Sequence, residues 1–324
     1  VTLTTRPARP TAAGTPASGG ERSRGSWRRR VRRDRALLLM MVPGLAYFMI
    51  FDYLPMLGNV IAFQDYVPFI GFADSEWVGL ANFERMFTDP AFWQASWNTV
   101  VISVLQLVFF FPVPIALALL LHSLTRDVVR RFVQSIVYLP HFLSWVIVVA
   151  LFQQVLGTTG LLNGVLGDAG LHTVHVLGNP DMFKPLAVLQ VIWKDAGWGT
   201  IIFLAALSRV DDQLYEAAAI DGAGPWRRFW NVTLPSIRPI IILLLILRLG
   251  DILTVGFEQM FLQRDAFGPE VAEVLDTFVY YTGIVNGDYG YATAAGLFKG
   301  VIGGLLIYAA NRVAHQLGEQ GVYR

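Results

Sequence analysis

Five charged side chains stand well away from the ends of the last three apolar runs, where a charge needs a reason. Lys194 and Asp195 lie in a run over 184–208, Arg248 and Asp251 in one over 237–258, and Lys299 in one over 289–314. A charge at the centre of a bilayer costs at least ~2.5–3.5 kcal/mol on insertion scales, so such groups line a polar passage or pair with one another. In a passage, Arg248 or Lys299 attracts an anionic solute. In a paired network the same charges only fix helix register. Arg248 and Asp251 are three apart, a helical spacing at which they pair directly. Lys194 and Asp195 are adjacent, which sends them in different directions and keeps both from facing one lumen. Trp193, Trp198 and Phe257 sit beside the charges and offer flat faces for stacking, although packing is the simpler reading of any one of them.

Other chemistry is missing. No Gly-x-x-x-x-Gly-Lys-Ser/Thr is present, so the chain does not itself cradle nucleotide phosphates. His172 and His175 form a His-x-x-His in a Gly-rich loop without further ligands, a surface pair rather than a zinc site. There is no cysteine, and the scattered Ser and His give no nucleophile pattern. No catalytic residue, metal or cofactor is expected in this chain.

The elements that must position those charges follow from composition. Of 324 residues 54% are hydrophobic and only 15% charged, well below the ~25% of a soluble domain. The fold class is all-α and polytopic, with about six spans of the ~20 apolar residues needed to cross. They fall near 36–62, 94–122, 131–156, 184–208, 237–258 and 289–314. Pro43, Pro55, Pro112, Pro114 and Pro140 interrupt the first three, so neighbouring helices must satisfy the freed backbone groups. Residues 1–35 form a basic leader, Pro- and Gly-rich and then Arg-rich at Arg28, Arg29, Arg30, Arg32, Arg33 and Arg35. It is too polar to fold alone. Next to a span it fixes orientation and touches anionic lipid rather than nucleic acid. Arg126, Arg130 and Arg131, then Arg209, Arg227 and Arg228, then Arg312 and Arg324 mark alternate loops, and the other loops are acidic. By the positive-inside rule both termini and the loop at 209–238 are cytoplasmic. Glu258 and Gln259 then mark the outer end of span five, within reach of solute or a soluble partner. Gly296, Gly300 and Gly304 recur at every fourth place in the last span, read as helix crowding.

The cytoplasmic loop carries Glu216-Ala217-Ala218-Ala219-Ile220-Asp221-Gly222-Ala223 and runs on to Phe229 and Leu234-Pro235. The alanines favour helix, Gly222 permits a left-handed end, and Trp226, Phe229 and Trp230 give a second short helix one apolar face. Leu234-Pro235 closes it. The result is a compact knob suited to a partner's cleft.

This stretch resembles the EAA motif of ABC importer permeases, matching at Glu216, Ala217, Ala218, Asp221, Gly222, Ala223, Phe229, Leu234 and Pro235. The rest of 36–324 is similar to permeases for polysaccharide-derived oligosaccharides, at Trp77 to Phe83, Tyr138 to Trp145, Trp193 to Gly199, Val255 to Gln259 and Gly296 to Gly300. The resemblance implies a transport subunit in a bacterial cytoplasmic membrane. It implies a second, different permease chain, two ATPase subunits that bind ATP and Mg and dock on the knob, and an extracytoplasmic solute-binding protein that delivers sugar. An acidic sugar such as an alginate or pectin fragment suits the intramembrane cations. The rivals are the same architecture for another solute, such as a glycerol phosphate or a disaccharide, or an ion-coupled transporter using Asp195 or Asp251.

Overall fold

The computed structural model describes residues 34–316; most of the basic leader and Arg324 lie outside the described residues. Among those described, six helices are long and apolar enough to cross a membrane. They are Arg35–Phe63, Pro90–Ser123, Trp145–Asp168, Pro180–Leu207, Pro225–Gly250 and Tyr289–Gln316. Residues up to Gly58 form one unit and those from Asn59 a second. In the first, helix Arg35–Phe48 runs through a π turn at Met49–Tyr53 into Leu54–Met56, and none of its residues is buried.

Three prolines are accommodated inside their helices by a local change of winding. Before Pro55, Pro112 and Pro235 the helix widens into a π turn, at Met49–Tyr53, Gln106–Phe110 and Phe229–Thr233. The N–H just before each proline reaches five residues back, Leu54 to Met49, Phe111 to Gln106 and Leu234 to Phe229. Proline has no N–H, and its ring strikes the carbonyl four residues earlier; one wider turn relieves that clash. The helix therefore continues.

Pro140 behaves differently. Helix Asp127–Tyr138 tightens into a 3-10 turn at Leu139–Phe142, Leu143 is extended, and Ser144 caps a new helix, Trp145–Leu156, by accepting from Ile147 N–H at 3.4 Å. The stretch read as one span over 131–156 is thus broken in the middle. The fifth span also ends early, at Gly250. Gly256 at φ +101° then starts a separate helix, Phe257–Phe267.

The fourth span is the axis of the second unit. Asn179 caps it, accepting from Asp181 N–H at 3.0 Å, and Pro180 opens it. Near its start Phe183, Leu186 and Ala187 pack with Ile102, Met260 and Phe267. Near its end Phe203 and Leu207 pack with Ala118 and Ile237. A third cluster joins Phe92, Leu275, Phe278 and Tyr291. Lipid is as apolar as these side chains, so close fit rather than water exclusion holds them together.

Fit is tightest at Gly197. A Cβ there would strike the backbone carbonyl and side chain of Val137. Overpacking a core typically costs ~1–3 kcal/mol, and backbone yields less readily than a side chain. Gly197→Val is expected to lower the thermal midpoint of the purified protein by several degrees. Gly164→Ala, at a position open to space, serves as the control and should leave the midpoint unchanged or slightly higher. The Gly296, Gly300 and Gly304 stripe is not crowded: an added Cβ at any of the three meets nothing within 4 Å. The close approach is instead at Gly303, where a Cβ would lie 3.3 Å from the Gly250 carbonyl.

Candidate functional site

The knob is built by two helices and a turn. Helix Asp212–Ile220 opens at Asp211, whose carboxylate accepts from Gln213 N–H at 3.0 Å. It ends with Gly222 at φ +73°. Ala223 N–H donates to Ala218 O at 2.9 Å and Gly222 N–H to Ala219 O at 3.0 Å. Those paired bonds are a Schellman ending, which needs the left-handed residue that glycine supplies. Arg228 Nε then donates to Ala223 O at 2.7 Å, and Tyr215 and Thr233 share a hydroxyl bond at 3.1 Å, tying the two helices together. Trp226, Phe229 and Trp230 stack mutually, with centroids 5.2–5.7 Å apart. Glu216, Ala217, Asp221 and Gly222 are exposed; Ala218, Ala223 and Phe229 are half-buried. Ile220 is 87% and Trp226 72% exposed, a large apolar offering for a loop. Leu234 and Pro235 do not close the second helix as the sequence suggested. The π turn carries it through them, so the helix that starts at Pro225 runs to Gly250.

The intramembrane charges are arranged differently from expectation. Lys194 and Asp195 do not diverge to separate places. Lys194 Nζ donates to His141 O at 2.7 Å and Leu143 O at 2.6 Å, while Asp195 meets His141 Nδ1 at 2.8 Å. The long lysine stem lets two adjacent residues end on one neighbour. Arg248 does not pair with Asp251. Its Nη2 donates to Gln106 Oε1 at 2.5 Å, and Asp251 is exposed beyond the helix end, where three-residue spacing no longer aligns side chains. Lys299 forms an ion pair with Asp276. Gln259 is fully buried rather than at an outer mouth, donating to Ala187 O at 2.9 Å and Gln190 Oε1 at 2.8 Å. Glu258 beside it is exposed. Trp198 lies flat on His141 at 4.5 Å, Trp193 is edge-on to Phe152 at 5.7 Å, and Phe257 stacks on Phe261 at 5.4 Å.

A family model described as "Binding-protein-dependent transport system inner membrane component" matches residues 111–315, which take in the knob and the charged stretches on either side. The chain belongs to that family. As a permease of this kind it is a multi-pass transport subunit. It is 50% identical over 292 residues to the polygalacturonan/rhamnogalacturonan transport system permease protein YteP of Bacillus subtilis (strain 168), covering 90% of this chain and 91% of that one. It is 47% identical over 299 residues to Protein LplB of the same organism, covering 92% and 94%. Its fold matches a chain of a bacterial alginate ABC transporter, solved in complex with an alginate pentasaccharide-bound periplasmic protein, with a TM-score of 0.83 and 38% identity over 91% of this chain and 99% of that chain.

Several side chains that shape the permease interior were missed by sequence reasoning. Gln106, His141, Gln190, Gln263 and Asp276 all meet an expected site residue or its partner. Gln190 and Gln263 pair amide to amide at 2.9 and 3.1 Å, and Gln259 joins them. An isolated glutamine in an apolar run is the signal that would have flagged Gln106 and Gln190, since a buried amide must find a partner. Among the described residues no group of three or more His, Asp or Glu is placed to hold a metal ion, and His172 and His175 are exposed.

Proposed function

We propose that the chain is one of two permease subunits of a bacterial importer that takes up acidic oligosaccharides, with both termini and the Glu216 knob in the cytoplasm. Two ATPase subunits binding ATP and Mg seat the knob, and an extracytoplasmic binding protein delivers sugar to the opposite face. Closure of the ATPases on ATP drives the spans from inward-open to outward-open, and hydrolysis resets them. Two observations agree with an anionic solute: the similarity to a permease named for polygalacturonan, and the state of Arg248. Of the three cations expected at the passage, Lys299 is neutralised by a carboxylate and Lys194 is enclosed by carbonyls. Among the described residues Arg248 has one hydrogen bond, to a neutral amide, and lies over the Phe110 ring with Asp251 and Asp195 acting on it from beyond ion-pair distance, so most of its N–H donors remain for a uronate carboxylate. Those remaining donors carry the reading. Trp198, and Phe257 with Phe261, supply partly exposed faces for sugar rings.

The test is purification of the whole assembly from its native membrane. Two ATPase chains and a second permease should copurify, and ATP hydrolysis should rise with a binding protein loaded with galacturonan fragments. Stimulation only by a neutral disaccharide or a glycerol phosphate would refute the acidic substrate. Transport driven by an ion gradient, with no ATPase attached, would refute the importer itself.

A further inference from the structure

The fourth span meets the break before Trp145 with residues from about a single turn, Lys194 to Trp198. A helix that stops inside a membrane leaves its last carbonyls without partners, and hydrocarbon supplies no water to replace them. Such a stop occurs at the turn Leu139–Phe142, between helix Asp127–Tyr138 and the span that begins at Trp145, and it lies beside the middle of the fourth span. Lys194, only 7% exposed, fills the gap with bonds to the carbonyls of His141 and Leu143. The Trp145 ring, 5.6 Å away, faces the same ammonium. A cation also suits the negative end of a helix dipole. Such a cap ordinarily comes from the helix's own next turn, but here it is delivered by another span. The next residue, Asp195, holds the His141 ring by Nδ1, and Trp198 lies parallel to that ring at 7°. Gly197 permits the close approach to Val137 that all of this requires.

We infer that Lys194 is a positioning residue for transport: it caps the break before Trp145 from outside and so holds His141 in the orientation that makes one surface with Trp198. It does not itself take up solute, because its ammonium is enclosed by two carbonyls and an aromatic face. Lys194 fixes the backbone of His141, while Asp195 and Trp198 fix the ring. Removing the ammonium frees the backbone that carries the ring, so that Asp195 and Trp198 alone hold its place.

The test uses the complete transporter in membrane vesicles and has two arms. In the first, uptake of a galacturonan trisaccharide is measured for Lys194→Met, His141→Ala and the double variant. Each single variant should raise the half-saturating concentration about tenfold with a smaller change in maximal rate, and the double should be no worse than His141→Ala alone. Additive losses, or normal uptake by Lys194→Met, would overturn the inference. This arm rests on sugar passing Trp198, as proposed above; the second arm does not. The chain has no native cysteine, so Leu143→Cys gives a clean label site at the break. Its reaction with a maleimide should be at least about fivefold faster when Lys194 is Met, as local opening requires, and an unchanged rate would overturn the inference whatever the sugar. Should Lys194→Met fail to assemble, Lys194→Gln replaces it in both arms. Failure of both to assemble would show a general folding role and overturn the assignment in that way.

Discussion

Exchanging Glu216 for Lys together with Gly222 for Pro will abolish uptake while leaving the chain inserted in the membrane. Gly222 sits at φ +73° and donates its N–H to Ala219 O at 3.0 Å. Proline holds φ near −65° and has no N–H, so it loses both the conformation and the bond. The Schellman ending then opens, and with it the angle between helix Asp212–Ile220 and the Trp226, Phe229 and Trp230 trio. Glu216 is exposed, so its charge reversal acts on a partner rather than on this chain's core. Loss of ~1.4 kcal/mol at a docking contact already weakens affinity tenfold, and two such changes should bring uptake to background. Uptake of labelled oligosaccharide, and copurification of the ATPase with a tagged chain, are the measurements. Normal values of both would remove the knob from the coupling path.

Arg248→Gln is expected to separate acidic from neutral sugars. A hydrogen bond to a charged group contributes about 1.5–3 kcal/mol, so loss of the guanidinium should reduce uptake of a uronate oligomer by roughly ten- to a hundredfold. A neutral oligomer of the same length should change by less than about threefold, within the scatter of such contacts. Stability should change little, since the partner left behind, Gln106 Oε1, is the acceptor of a neutral amide and can meet the new glutamine's N–H₂. Parallel uptake of a galacturonan and a neutral glycan of matched length decides it. Equal losses for both sugars would assign Arg248 to packing.

The sequence made the spans and the knob legible because both are written in local terms. Runs of apolar residues announce a crossing helix, and Gly222 after the alanine-rich Glu216 stretch announces a left-handed helix end at +73°. What it did not make legible depends on partners far along the chain. Arg248 reaches Gln106, 142 residues away, and Lys194 reaches the backbone of His141. The pairing of Arg248 with Asp251 failed because the helix ends between them at Gly250. Gln259 was read as marking the outer end of span five because charge and polarity suggest surface, whereas its amide N–H₂ is held in the interior by Gln190 and the Ala187 carbonyl. Pro235 was read as a stop because a proline usually is one; a π turn is not visible in residue types.

That π turn has a mechanical effect. The helix is continuous from Pro225 to Gly250, with Pro239 also inside it, so Trp226 and Arg248 lie on one helix, and 22 residues at ~1.5 Å each separate them by about 33 Å. A displacement imposed on the tryptophan end arrives at the guanidinium end with no slack loop between to absorb it. Stiffness along this helix, rather than a relay of side chains, would then set how tightly the two ends keep time.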